Sequence, residues 1–176
     1  MLQDFGRIIE TDVVAVGGSG AGITAAVYAA RAGARVALVS KGKIGVSGNA
    51  IMAGGGFGVD GESGKNLLHL DFADPSFTKE RLFDCIVKES FYLADQNMVR
   101  QYIDDGPIVM KDYLGWAERA GQDFFCCPPA NWIASGLSFT KALVQGLKET
   151  AGIQTFEDMM IVEVLTNEKT VCGAVG

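Results

Sequence analysis

The chain has 176 residues, of which 48% are hydrophobic and 20% are charged, a balance typical of a globular protein rather than a disordered one. Its net charge of −6 and the lack of a basic run argue against nucleic acid or an anionic membrane surface as a partner. Charged residues interrupt every apolar run, so no membrane span is expected.

The N-terminal segment and the cysteines favour a cytoplasmic protein. The first residues lack the basic and apolar regions of a secretory signal, so we expect no such signal. Cys85, Cys126, Cys127 and Cys172 show no metal-binding spacing. We therefore expect reduced thiols and no metal site.

A strand, a helix and a second strand are predicted over residues 11–40. Val13–Val16 is a continuous apolar run, which predicts a strand buried on both faces of a parallel sheet. An alanine-rich helix is predicted over 21–32 and ends at Gly33, and residues 35–40 predict the second strand. Parallel pairing with a right-handed crossover follows.

The first strand and the helix are joined by the glycine-rich turn GGSGAG. Gly17, position 19 and Gly22 occupy the slots of a G-x-G-x-x-G fingerprint, with Ser19 in the second slot. The free amides and the dipole at the start of a helix favour a phosphate anion. Because serine is small, we expect phosphate binding to be retained with serine in the second glycine slot. The turn predicts a dinucleotide site; the alternative is a turn that only packs a helix on a sheet.

Ser40 stands where a ribose-binding carboxylate normally ends the second strand. Serine can hydrogen-bond a ribose hydroxyl, but it lacks the charge-assisted strength of Asp or Glu. The residue therefore counts against the usual nicotinamide pattern. On these residues alone the cofactor is a dinucleotide of unspecified kind.

Residues 41–64 are glycine-rich and predict an irregular loop of the functional kind. Helices are predicted over 78–151. Thr78 is the expected N-cap of the first helix, and Pro107 is expected to open the second, whose inward residues are Val109, Met110, Tyr113, Leu114 and Ala117.

Glycines are expected to end the second and third helices, and short strands to follow them. Gly121 and Gly152 are the predicted helix ends. Strands are predicted over 154–156, 159–165 and 170–175, and the last two are expected to form a hairpin within the region 153–175.

Three segments resemble the flavoprotein family of fumarate reductase, succinate dehydrogenase and L-aspartate oxidase. They are SKGKIGVSGNAIMAGGGFG, LADQNMVRQYIDDGPIVMKDYLGWAERAGQDF and GIQTFEDMMIVEVLTNEKTVCGAVG. In that family Ser-Lys is a familiar alternative to the acidic residue at this strand end. The resemblance covers nearly the whole chain and implies an α/β fold: an incomplete Rossmann-like FAD/NAD(P)-binding domain, with a parallel sheet, a helical insertion and a β-hairpin.

The resemblance also implies FAD as the cofactor, with contacts along the chain. Residues of the turn would meet the diphosphate: Gly17, Gly18, Ser19, Gly20, Ala21 and Gly22. Ser40 and Lys41 would meet the adenosine ribose and the neighbouring phosphate. Backbone groups of the following loop would run past the isoalloxazine: Ser47, Gly48, Asn49, Gly54, Gly55 and Gly56. Ile161, on a tail strand, would offer its main chain to the adenine. The alternative for each residue is that it serves only the conformation of its loop. For Ile161 the alternative is a residue of a core strand with no ligand contact.

One position departs from part of the family. Members in respiratory membrane complexes hold their flavin covalently through a histidine, and the matching position here is Gly48. Glycine has no side chain that could form this bond. The resemblance therefore implies non-covalent FAD.

The resemblance implies the N-terminal part of an oxidoreductase that transfers hydride between flavin N5 and an activated C=C or CH–CH substrate. Family members are longer, and their substrate-binding and proton-delivering residues lie in later parts, so no catalytic residue is assigned here. A small-molecule substrate is expected only if the rest of the enzyme is supplied, by this polypeptide or a second one. The alternatives are a non-catalytic FAD- or NAD-binding module or an inactive fragment. A nicotinamide-dependent dehydrogenase is a third alternative, which Ser40 makes less favoured.

Overall fold

The computed structural model describes residues 6–129 and 131–176, with residue 132 described by its backbone alone. Residues 1–5, part of the segment for which no secretory signal is predicted, lie outside the described residues. The elements are β1 (Val13–Val16), α1 (Gly20–Arg31), β2 (Val36–Val39), a 3₁₀ turn (Ala50–Met52), β3 (Gly54–Gly58), α2 (Gly61–Asn66), α3 (Lys79–Glu89), α4 (Gln96–Arg119), β4 (Phe125–Cys127), β5 (Asn131–Ser135), α5 (Gly136–Glu149), β6 (Ile153–Phe156), β7 (Glu163–Asn167) and β8 (Thr170–Val175).

The chain divides into two compact units, and the first carries the predicted strand–helix–strand unit. This unit runs to Ile51 and resumes at Leu143. Its sheet has the order β1-β2-β6 with parallel pairing throughout. The parallel pairing of β1 with β2 was predicted, whereas the place of β6 was not. The helix α1 packs against β1 and β2, and Ile23, Val27 and Leu38 are fully buried there.

The prediction that β1 is buried on both faces is wrong. Val14 and Val16 are 39% and 60% exposed, whereas Ala15 is buried. The two valines share one face of the strand because side chains alternate. Among the described strands of its sheet, β1 pairs only with β2, while the central strand β2 is buried at all four positions. The strand that is buried on both faces is thus the central strand, β2.

The tail forms the predicted hairpin, with one difference in its bounds. Strands β7 and β8 pair antiparallel across the turn at Glu168. Residues 159–162, predicted as the start of the strand, precede it. They are held differently, because the Met159 N–H donates to the Ser40 carbonyl at 3.0 Å and Asp158 adopts a left-handed φ of 55°.

The second unit, Met52–Ala142, contains an antiparallel sheet that the sequence reading missed. Its order is β3-β5-β4. Strand β3 lies within the predicted loop 41–64, and β4 and β5 lie within the predicted helical segment 78–151. Strand β3 reads GGGFG, a poor strand former by propensity, and its pairing with β5 comes from a segment about 75 residues later.

Helix α4 runs through the position at which a helix was predicted to begin. Asp95 is its N-cap and accepts from the Asn97 N–H at 2.9 Å, whereas Pro107 is buried inside the helix. The helix continues because its buried face extends on both sides of the proline, from Ile103 to Met110. The other end is as predicted, with the helix finishing at Arg119 just before the left-handed glycine at 121.

The remaining helix predictions agree with the structure in part. Thr78 is the N-cap of α3 and accepts from the Arg81 N–H at 3.3 Å, as expected. Of the predicted inward residues on α4, Met110, Tyr113 and Ala117 are buried, and Val109 and Leu114 are partly buried. Helix α5 ends at Glu149, three residues before Gly152.

Buried aromatic rings form part of the second unit's core, and removing one tests that core. Trp116 is 1% exposed and lies 5.5 Å from Tyr113, centroid to centroid. We expect Trp116→Ala to lower the free energy of unfolding by about 3–5 kcal/mol, because it leaves a large cavity. Phe125→Ala, at a side chain 67% exposed, is the control and should cost under about 1 kcal/mol. Urea denaturation of both variants checks this, and equal losses would contradict it.

An exposed ion pair joins the starts of β1 and β2. Asp12 accepts from the Arg35 guanidinium at 2.8 and 3.0 Å and from the Arg35 N–H at 2.8 Å. The side-chain hydrogen bonds of Arg35, and then its N–H, lower the pKa of Asp12 to about 2. A lowered pKa stabilises the fold above the unfolded-state pKa, and this contribution is lost as the pH falls through about 4 towards 2.

The Asp12 pair predicts a pH-dependent stability difference. Asp12→Asn should lower Tm by about 1–3 °C at pH 7, since the pair is exposed. The difference from wild type should shrink below about pH 4, where the wild-type carboxylate begins to protonate. Thermal denaturation followed by circular dichroism at pH 7 and pH 3 measures both values. A difference that grows towards pH 3 would contradict the assignment.

Candidate functional site

The turn between β1 and α1 is tight and reverses the chain direction within a few residues. Gly17 has a φ of 116°, a conformation that side chains disfavour, and its N–H donates to the Val39 carbonyl at 2.7 Å. Ser19 is the N-cap residue, with an extended backbone at φ −125°. Helix α1 then starts at Gly20, at the carboxyl end of the parallel sheet.

Two glycines in this turn have no room for a side chain. A Cβ on Gly22 would overlap the Gly17 carbonyl oxygen, so helix α1 can lie this close to the turn only with glycine there. A Cβ on Gly18 would lie 2.7 Å from Ser40 Oγ and 2.8 Å from Ile44 Cγ1. Packing alone therefore requires the fingerprint glycine at position 22.

The start of α1 has the properties of an anion site. The Ser19 side chain makes no capping hydrogen bond, and the first turn of the helix holds no acidic residue. The first amides of a helix have no acceptor within the helix, and its dipole places partial positive charge at this end. Main-chain N–H groups at the carboxyl edge of a parallel sheet are thus available to a phosphate.

The loop after β2 is held by acidic residues that follow β6. Lys43 Nζ lies 3.1 Å from Glu157 Oε2 and 2.7 Å from Asp158 Oδ2, and the Ile44 N–H donates to Glu157 Oε1 at 2.8 Å. We refer to these four residues as the acidic clamp. The Ile44 N–H, and then Lys43, lower the pKa of Glu157 below its usual range. Asp158, and then Glu157, raise the pKa of Lys43.

A family model described as FAD binding domain matches residues 12–176. The chain belongs to this FAD binding domain family. No curated protein sequence matches the chain significantly.

Solved structures share the fold of this FAD binding domain. The FrdA chain of E. coli quinol fumarate reductase is 23% identical, with a TM-score of 0.73, and the match covers 94% of this chain and 29% of that one. A flavocytochrome c3 fumarate reductase is 24% identical, with a TM-score of 0.70, and the match covers 98% and 32%. The chain thus spans about a third of the length of these structures.

The fold class expected from the sequence is confirmed. The chain has the α/β FAD-binding fold of the fumarate reductase flavoprotein, with a parallel sheet and helices. Within the described part of the chain, no helix is both long and apolar enough to cross a membrane. The described residues also contain no cluster of metal-binding side chains, and the four cysteines are free.

The predicted ribose-binding serine is buried beside the glycine turn. Ser40 is 6% exposed, and its Oγ accepts from the Gly42 N–H at 3.4 Å while it packs against Gly18. Its main chain is bonded on both sides, to Phe156 and Met159. Lys41, the next residue, is exposed.

The predicted isoalloxazine residues fall in two different units. Ser47, Gly48 and Asn49 are exposed residues of the first unit, and Ser47 Oγ accepts from the Lys43 N–H at 2.8 Å. The second group is exposed on β3 in the second unit and is paired with β5: Gly54, Gly55 and Gly56. One edge of β3 is therefore used by the sheet.

Ile161 does not lie on a strand, contrary to prediction. It is partly buried and lies two residues before β7, in the segment that follows Asp158. The chain at Met159 is bonded to Ser40 instead of to a strand partner. This segment therefore stays beside the end of β2.

The sequence reading missed the acidic clamp, although a signal for it was present. Parallel strands end at the same edge of a sheet, so the residues that follow β2 and β6 are brought together. Lys43 follows the first of these strands, and the acidic pair Glu157 and Asp158 follows the second. Opposite charges at these two places indicate a contact once the strand order is known.

The packing of Gly22 predicts a large effect from one methyl group. Gly22→Ala should weaken FAD binding at least tenfold and lower Tm, because the turn and α1 must move apart. Gly106→Ala is the matched control, a helical glycine with open space at its Cβ position, and should leave Tm equal or higher. Thermal denaturation and FAD titration of both variants measure the effects. Wild-type behaviour of Gly22→Ala would contradict the packing argument.

Proposed function

We propose that this chain binds FAD non-covalently at the turn between β1 and α1. We further propose that it supplies this site to an oxidoreductase that transfers hydride between flavin N5 and an activated C=C or CH–CH substrate. The observation that carries the proposal is the uncapped, acid-free start of α1 behind a turn that admits only glycine at position 22. FAD, when bound, supplies two-electron chemistry at its N5 atom.

The diphosphate is the part of FAD that these residues fit best. The first amides of α1 can donate hydrogen bonds to its oxygens, and the helix dipole favours its negative charge. Ser19 is extended and small, so its side chain leaves the main chain within reach. The residues assigned to the diphosphate are Gly17, Gly18, Ser19, Gly20, Ala21 and Gly22.

The adenosine half of FAD lies, in this proposal, beside the ends of β2 and β6. Lys41 is an exposed cation that directly follows Ser40 and is suited to a phosphate or to ribose oxygens. Ser40 has a smaller direct role than its position suggests, because its Oγ already accepts from Gly42 and is buried. Ile161 offers main-chain groups outside any strand ladder, which supports its assignment to the adenine.

Within the first unit, the isoalloxazine is assigned to main-chain groups of Ser47, Gly48 and Asn49. The earlier assignment of the β3 glycines 54–56, in the second unit, stays a prediction. Gly48 has a φ of 96°, which a histidine would adopt only with strain, and glycine has no side chain to bond the flavin. Both points support non-covalent attachment.

The hydride-transfer proposal needs substrate-binding and proton-delivering residues that we do not assign to this chain. Both structural neighbours described above are fumarate reductases by name, and fumarate is an activated double-bond compound. This chain spans about a third of their length, and we assign it no substrate-binding or proton-delivering residue. Turnover therefore requires further residues, from the same polypeptide or from a second one.

Flavin binding and turnover can be tested separately. The purified protein should show flavin absorbance or regain it with added FAD, and acid precipitation should release all flavin into the supernatant. Tight NADH binding without affinity for FAD would overturn the cofactor assignment. Fumarate-dependent reoxidation of the reduced protein tests hydride transfer. A yellow protein without turnover, even when the rest of the enzyme is added, would favour a non-catalytic FAD-binding module.

Ser19 gives a specific prediction for the diphosphate site. Ser19→Leu should raise the FAD dissociation constant at least tenfold, because a larger side chain blocks the approach to the helix amides. Its extended backbone accepts any residue, so Tm without FAD should change by less than about 2 °C. Ser19→Gly is the control and should bind FAD within about threefold of wild type. Calorimetric titration with FAD measures these constants; unchanged affinity in Ser19→Leu would contradict the assignment.

A further inference from the structure

The acidic clamp connects two loops that are far apart in sequence. Glu157 uses both carboxylate oxygens, one on the Ile44 N–H at 2.8 Å and the other on Lys43 Nζ at 3.1 Å. Asp158 adds a contact to Lys43 at 2.7 Å. A main-chain hydrogen bond from Met159 to Ser40 lies beside them. The middle of the loop after β2 is therefore held from the side of β6.

The clamped residues contact the glycine turn directly. The Ile44 side chain lies against Gly18, where a Cβ would come within 2.8 Å of Ile44 Cγ1. The next residue, Gly45, donates its N–H to the Gly18 carbonyl at 2.9 Å. A continuous chain of contacts thus runs from Glu157 through residues 44 and 45 to the turn.

The backbone at Asp158 supports a specific role for the clamp. Asp158 has a φ of 55°, an uncommon conformation for a residue other than glycine, although aspartate tolerates it better than most. This turn brings the carboxylates of two consecutive residues onto one lysine. Uncommon backbone conformations of this kind persist where the surroundings hold them, often at functional sites.

We propose that Glu157 is a positioning residue for the glycine turn between β1 and α1, where we place the FAD diphosphate. Its carboxylate holds the Ile44 main chain, so that Gly45 and the Ile44 side chain keep Gly18 in place and residues 17–22 keep their amides directed at the diphosphate. This inference rests on the proposed FAD site. Glu157 does not itself contact the cofactor in this arrangement.

The bond to the Ile44 N–H should contribute more than the ion pairs. The side chains of Lys43 and Asp158 are 56% and 65% exposed, and exposed ion pairs contribute little because water and salt screen them. Glu157 is less exposed, at 36%, and its bond to a main-chain N–H is charge-assisted. Loss of the carboxylate should therefore matter more than loss of the lysine.

The test compares four variants of the protein by FAD titration, thermal denaturation and hydrogen exchange. Glu157→Ala should raise the FAD dissociation constant about fivefold and speed amide exchange in residues 43–47. Glu157→Gln, whose amide oxygen can still accept from Ile44, should recover most of the affinity, and Lys43→Met should change it less than about twofold. Asp104→Asn removes an exposed pair with Lys79 in the second unit and is the matched control, with unchanged FAD affinity.

The outcomes separate this inference from the proposed function. Faster exchange and weaker FAD binding in Glu157→Ala, with Tm close to wild type and recovery in Glu157→Gln, support the positioning role. Unchanged FAD affinity in Glu157→Ala overturns it while leaving the FAD site intact. Equal weakening in Asp104→Asn also overturns it, because the effect would then be general. A wild-type protein that binds no FAD overturns the proposed function and this inference together.

Discussion

The closeness of helix α1 to the end of β1 is the constraint on which the rest of the site depends. It exists because Gly22 has no Cβ where the Gly17 carbonyl oxygen lies, and because Gly17 adopts a left-handed φ. A wider turn would carry the first amides of the helix away from the edge of the sheet. The position of Ser19 then follows, since the chain must pass extended between these two glycines.

Side chains near this turn mainly hold main chain in place. Ser40 accepts from Gly42 and packs on Gly18, and Ser47 accepts from Lys43. Glu157 holds the Ile44 N–H. This division fits the ligand proposed here, because a diphosphate is recognised well by N–H groups and needs no particular side chain. It is also consistent with serine in place of glycine at position 19 and of a carboxylate at position 40 in the proposed site.

Short-range patterns predicted the first unit well and the second unit less well. The parallel strands, the helix between them, the Thr78 cap and the tail hairpin follow from periodicity and capping residues. The pairing of β3 with β5 does not, because a glycine strand has no propensity signal and its partner is distant in sequence. The prediction that a helix begins at Pro107 was wrong for a related reason, because packing along α4 outweighs a local helix-start signal.

The sequence by itself determined the family and the local features of the proposed site: a glycine turn between a strand and a helix, and a hydroxyl in place of a carboxylate. Those features depend on residues close together in the chain, whose backbone preferences act locally. Only the tertiary structure decided which loops meet at the carboxyl edge of the sheet. The order β1-β2-β6 brings Glu157 and Asp158 to Lys43. Strand order is set by packing over the whole unit, so contacts across more than a hundred residues appear only in the folded chain.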